Sequence, residues 1–181
     1  MATTIVVTDP SLIVLVGPAG VGKSTFAARH FAPDEVLSSD ALRAAIGGDE
    51  ANQAVTRAAF AALHRTLTRR LAGGRLTVVD ATNVQHHARV ALLRRARAAG
   101  LTAAAIVLAL PDAVALARNR SRPGRTVDET VVLRQLAELR RTADPGRLES
   151  EGFDPVVRLT SPEAVDSALI ERIAVWHHPT P

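Results

Sequence analysis

The run Gly17-Pro18-Ala19-Gly20-Val21-Gly22-Lys23-Ser24 fills the spacing G-x-x-x-x-G-K-[ST] in full. It lies between an apolar stretch, Leu12 to Val16, and a segment that reads as a helix from about Lys23 to His30. Glycines at these positions let successive backbone amides turn inward onto phosphate oxygens, and the following helix adds its positive N-terminal end. Lys23 is then placed to reach the β- and γ-phosphates, and the Ser24 hydroxyl to meet a Mg²⁺ ion. ATP with Mg²⁺ is therefore the expected ligand, held by Gly17 through Ser24 with Thr25 beside them. Among 22 basic residues Lys23 is the only lysine. A compact ammonium on a flexible stem does what a planar guanidinium cannot at such a point.

A phosphate cradle does not name the acceptor. Asp40 follows a short apolar segment, Glu35 to Leu37, and Arg43 stands three residues later on the same helical face. At the carboxyl edge of an open α/β sheet, a carboxylate can take the proton of an attacking hydroxyl while a neighbouring arginine grips a phosphate bidentately. The same two residues also suit an exposed helix-start ion pair worth about 1 kcal/mol or less. Asp80 ends the run Leu76 to Val79 in the position of a carboxylate that holds Mg²⁺-bound water or orients the P-loop serine. Asp80, Thr82 and Asn83 would serve equally to tie the strand end to the next helix. Arg89 is open between the two roles. Arg118, Arg120, Arg122 and Arg125 crowd one helix end and the loop after it, around Pro123-Gly124. Such a cluster repels itself unless anions approach, and it reads as a lid over 118–126.

The elements that must position these groups alternate. Strands are expected at Leu12–Val16, Glu35–Leu37, Leu76–Val79, Ala104–Leu110 and Pro155–Leu159. Helices are expected over Asp40–Ile46, Glu50–Ala72, Gln85–Ala99, Asp112–Arg120, Val127–Thr142 and Pro162–Val175. Gly47-Gly48, Gly73-Gly74 and Gly100 act as stops. Alternation of this kind argues for an α/β domain with a five-stranded parallel sheet covered by helices on both faces. One domain, residues 1–175, and a short tail, 176–181, are expected.

Composition narrows the classes further. The chain has 181 residues, 47% of them hydrophobic, which suits one packed core. It has no cysteine, which excludes disulfides, thiolate metal sites and a cysteine nucleophile, and fits a cytoplasmic setting. The apolar opening is interrupted by Asp9-Pro10 and is too short to span a bilayer, so no membrane partner is expected. His86-His87 and His177-His178 lack the i, i+4 spacing of a helical metal site. Phe26, Phe31, Phe60 and Phe153 read as packing residues rather than base-stacking platforms.

Taken in order, Gly17 to Phe26, Ser38-Ser39-Asp40-Ala41-Leu42-Arg43, Thr77 to Val84 and the arginines from Arg118 to Arg125 resemble the kinase domain of the bacterial polynucleotide kinase-phosphatase of RNA repair. Bacteriophage polynucleotide kinase is a more distant likeness. The resemblance runs from about Leu12 to Ile173. It implies an adenylate-kinase-like P-loop phosphotransferase that moves the γ-phosphate of ATP to the 5′-hydroxyl of RNA or DNA. By the same likeness Asp40 is the general base, Arg43 contacts the phosphate next to the acceptor nucleoside, and Arg118 and Arg122 contact the ATP phosphates. Arg125 would cover the adenine or the mouth of the site. Relatives are often fused to phosphatase and ligase domains. A small-molecule P-loop kinase and a non-catalytic nucleotide-binding module are the alternatives.

Overall fold

A computed structural model describes residues 3–46, 53–122 and 126–175. Five strands form one parallel sheet in the order β3-β4-β2-β5-β6: β2 (Leu12–Val16), β3 (Val36–Ser38), β4 (Thr77–Asp80), β5 (Ala103–Leu108) and β6 (Val156–Leu159). Every adjacent pair in it is parallel. The expected fold class is therefore present. Its centre, β2, is buried at all five positions, as a strand covered on both faces must be.

The alternation of β2 divides the core. Leu12, Val14 and Val16 join a layer with Leu63, Leu67 and Leu71 of α3 (Gln53–Ala72) and Leu92, Leu93 and Ala96 of α4 (His86–Ala98). Ile13 and Leu15 point the other way, onto Phe26 of α1 (Lys23–His30) and Val165 of α8 (Pro162–Ser167). A smaller cluster, Ala115, Val132 and Leu136, joins α5 (Asp112–Ser121) to α6 (Glu129–Thr142). The helix α2 (Ser39–Ile46) packs against α3. Its start is capped by the Ser38 hydroxyl, which accepts from Ala41 N at 3.3 Å.

Three elements differ from the sequence reading. The expected helix Pro162–Val175 ends at Ser167, and Leu169–Ala174 is a strand, β7. It pairs in parallel with β1 (Thr4–Asp9), a strand the sequence reading did not anticipate. The apolar residues of 162–175 are compatible with helical spacing, but pairing with β1 prevails: Leu169 N donates to Thr3 O and Val175 N to Asp9 O, both at 2.9 Å. Ile5 and Val7 thereby enter the core beside α1, and Arg172 closes the layer on Glu35 at 2.7 and 2.9 Å and over the Phe31 ring at 5.5 Å. The third difference is α7 (Pro145–Glu151), a segment for which the sequence reading gives no element, with Asp144 accepting from Arg147 N. Arg125, the Gly47-Gly48 stop, the first residues of the Glu50–Ala72 helix and the 176–181 tail lie outside the described residues.

Candidate active site

The P-loop leaves the end of β2 and is tied at once to β4, Gly17 N donating to Thr82 O at 2.9 Å. Gly20 and Gly22 adopt φ of 78° and 109°, a region that only glycine enters freely. Gly20 is also fixed by space, because a Cβ there would stand 2.9 Å from the Cα and Cβ of Asn119. Within this loop Lys23 is 7% exposed, and its Nζ donates to Gly17 O at 2.9 Å and Pro18 O at 2.8 Å. Burial pulls the Lys23 ammonium down to about 8; Asp80 and Asp40 oppose the fall and Arg122 adds to it.

Ser24 Oγ donates to Asp80 Oδ2 at 2.7 Å. Of the alternatives open for Asp80, the structure places it on the P-loop serine. Asn83 is the residue that ties the strand end: it is buried, with φ 49°, and its Nδ2 donates to Leu15 O at 2.8 Å. A hydroxyl and one carboxylate are a donor set suited to Mg²⁺, which takes few protein ligands and completes its shell from phosphates and water. The described residues contain no cluster of three His, Asp or Glu side chains that could hold an ion by themselves.

Across the cleft, β3 ends at Ser38 and delivers Asp40 and Arg43 on the first turns of α2, where the Arg43 guanidinium donates to Asp40 Oδ1. Their side chains are 38% and 22% exposed. Lys23, Ser24, Asp40, Arg43, Asp80, Arg118 and Arg122 all line a single cleft of about 730 Å³. Arg118 Nη1 reaches the P-loop at Val21 O, 3.1 Å. Arg120 does not join them. Its guanidinium is bound to Glu129 and exposed, at the far side of the helix end.

Several residues here escaped the sequence reading. Asn119, fully buried, donates Nδ2 to Val127 O at 2.7 Å and accepts from Val127 N at 3.1 Å, pinning the two sides of the arginine loop together. Gln135 of α6 accepts the Ala19 amide at 2.7 Å and so steadies the P-loop. An uncharged amide between Arg118 and Arg120, poor in helix propensity, was the available signal for the first; the second had none. Phe60 corrects an expectation: Phe26, Phe31 and Phe153 are buried, but Phe60 is 36% exposed and stands in the cleft wall with Val84 and Gln85, on the Asp40 side.

Arg89 resolves as structural. It is 0% exposed, and donates to Glu151 at 2.8 and 2.7 Å, to Asn83 O and Val84 O at 3.0 and 2.8 Å, and to Thr142 O at 2.6 Å. It locks the loop after β4 to the ends of α6 and α7.

Solved structures share this architecture. A chain of the Pnkp1/Rnl/Hen1 RNA repair complex superposes with a TM-score of 0.61 at 19% identity, over 80% of this chain and 47% of that one. A gluconokinase from Sinorhizobium meliloti gives 0.55 at 19% identity, over 88% and 87%. A shikimate kinase from Acinetobacter baumannii gives 0.53 at 19%, over 86% and 87%. At such identities the likeness is one of fold, that of the P-loop kinases. No curated protein matches the sequence. A family model described as an AAA domain matches residues 12–145, from the first strand of the sheet through the arginine helices, and the chain belongs to that family.

Proposed function

We propose that this protein transfers the γ-phosphate of ATP to the 5′-hydroxyl end of a polynucleotide. The observation that carries the reading is the Asp40–Arg43 pair, set opposite the P-loop lysine in one continuous cleft with Arg118 and Arg122. In this role Asp40 takes the proton of the attacking hydroxyl, and Arg43 holds the phosphate on the 3′ side of the acceptor nucleoside. Lys23 exchanges its two P-loop carbonyls for phosphate oxygens, while Arg118 and Arg122 meet the charge that spreads over the transferred group. Ser24 and Asp80 are the residues that would hold Mg²⁺, which neutralises charge on the phosphates when bound.

A small-molecule acceptor is the second reading, favoured by the likeness to gluconokinase and shikimate kinase. The two separate in a transfer assay with γ-labelled ATP, offering a 5′-hydroxyl oligonucleotide beside a panel of nucleosides, sugars and other metabolite alcohols. The polynucleotide reading expects label on the oligonucleotide. It also expects Asp40→Asn to lower kcat by about 10²–10⁴ with ATP affinity retained. Label on a metabolite alone would overturn it.

A further inference from the structure

Charge is distributed unevenly on this chain. Between Gln53 and Pro111 the sequence holds nine arginines and a single acid, Asp80, which is already engaged with Ser24. Two of those arginines are neutralised across the fold: Arg75 pairs with Asp34 and Arg89 with Glu151. Arg57, Arg65, Arg69 and Arg94 are exposed on α3 and α4 and make no ion pair among the described residues. Neither helix carries an Asp or Glu that could supply one.

The two helices lie side by side on one face of the sheet, and the seam between them opens at the cleft. Phe60, in the cleft wall, also borders a small hollow floored by Leu63, His64, Ala88 and Leu92. Beyond His64 the seam meets Arg95, whose Nη1 rests on Ala91 O at 2.5 Å. His64 Nδ1 and Arg95 Nε are enclosed and have no hydrogen-bond partner, as are Arg70 Nη1 on α3 and Arg43 Nε at the cleft end. Exposed arginines on two neighbouring helices that carry no acid describe a surface suited to a polyanion. A lone phosphate would match only one of these points. From Phe60 to Arg69 is nine residues, about 14 Å of helix, which is the length of about four stacked nucleotides.

We propose that the exposed face of α3 and α4 is the track of the acceptor strand, with Arg65, Arg69 and Arg94 binding successive backbone phosphates downstream of the nucleotide whose 5′-hydroxyl faces Asp40. This deepens, and rests on, the polynucleotide reading of the cleft. The contacts go to phosphate alone, so they position the strand without reading its sequence.

The test is the triple variant Arg65→Gln, Arg69→Gln, Arg94→Gln, changed only at exposed positions away from the cleft. Its phosphorylation of a 5′-hydroxyl decanucleotide and of a nucleoside 3′-monophosphate is compared with that of the native protein. The expected result is a KM for the decamer raised about tenfold or more with kcat retained, and unchanged constants for the monophosphate. The slope of log binding against log salt for the decamer should become shallower by about two to three units. Equal KM and equal slope in the two proteins, with the native enzyme active on the decamer, would sink the track and leave the kinase reading standing. So would loss of binding to phosphatidylserine vesicles alone, which would make the face a membrane surface. A native protein that phosphorylates neither acceptor removes the kinase reading and the track together.

Discussion

Replacing Arg89 by methionine keeps most of the side-chain volume and removes the guanidinium, and its consequence can be worked from the contacts. The side chain is 0% exposed and the Glu151 carboxylate that it holds is 4% exposed, so the pair is withdrawn from water. Breaking such a pair from one side costs about 3–5 kcal/mol, because the remaining charge is left buried. His86 Nδ1, 2.8 Å from Glu151, supplies partial relief, and Thr142 Oγ1 still donates to Val84 O. Asn83 O and Thr142 O lose the arginine donor, at about 1 kcal/mol or more each. A loss of about 4 kcal/mol is expected, equal to a fall in Tm of about 8–16 °C for a domain of this size. Burial pushes the Glu151 carboxyl up, but hydrogen bonds from Arg89 and His86 outweigh it and hold the carboxyl below its usual range. A carboxyl whose folded pKa is depressed contributes stability above its unfolded pKa and loses it as the pH falls through the folded one. The gap between native and variant proteins should therefore narrow below about pH 4. Urea denaturation across pH measures this, and adding Glu151→Leu to the variant should recover part of the loss. A variant of unchanged Tm whose kcat has collapsed would refute the argument, since it would make Arg89 a participant in the chemistry.

Three further expectations follow from the P-loop and its supports. With its pKa near 8 in the free protein, Lys23 loses its charge as the pH rises through that value, so ATP affinity should be flat below about pH 8 and weaken by up to tenfold per unit above it; affinity constant to pH 10 would contradict this. Gly20→Ala forces a Cβ against Asn119 at a φ of 78°, and should cost about 1–3 kcal/mol in stability together with a measurable loss of nucleotide binding. Asn119→Ala orphans both backbone groups of Val127, so hydrogen exchange at the Val127 amide should quicken by about tenfold or more, corresponding to about 1–3 kcal/mol.

The parts of the fold legible in the sequence were those with one dominant local cause. Leu12 to Val16 is apolar at every position because both sides of β2 are covered, and the glycine spacing after it has few other uses. Asp40 and Arg43 were visible because a three-residue separation puts both on one helical face. What the sequence concealed depended on partners far along the chain. Thr4–Asp9 becomes a strand only by pairing with Leu169–Ala174, some 165 residues away, and no local window holds that information. Arg89 was ambiguous for the same reason: its partner Glu151 lies 62 residues later. Phe60 was misjudged because a phenylalanine in an amphipathic helix is ordinarily core, and exposure is a property of the assembled cleft.

This division of labour explains why fold likeness reaches kinases of such different names. The donor half of the cleft is built from backbone geometry: left-handed glycines, a helix N-terminus, and a lysine and serine at fixed offsets. Those requirements come from a triphosphate and are the same whatever receives the phosphoryl group. The opposite wall of the cleft, where the proposed function puts the acceptor, is built from side chains on α2, α3 and the start of α4, namely Asp40, Arg43, Phe60 and Gln85, and side chains change without disturbing the sheet. On the proposed function Asp40 would serve any alcohol as its base. Arg43 would then meet an acceptor that already carries a phosphate, and the acid-free helices beyond it would meet the phosphates that follow. In the reading proposed above, a polymer acceptor would give the exposed arginines of α3 and α4 anionic partners that a neutral polyol does not supply.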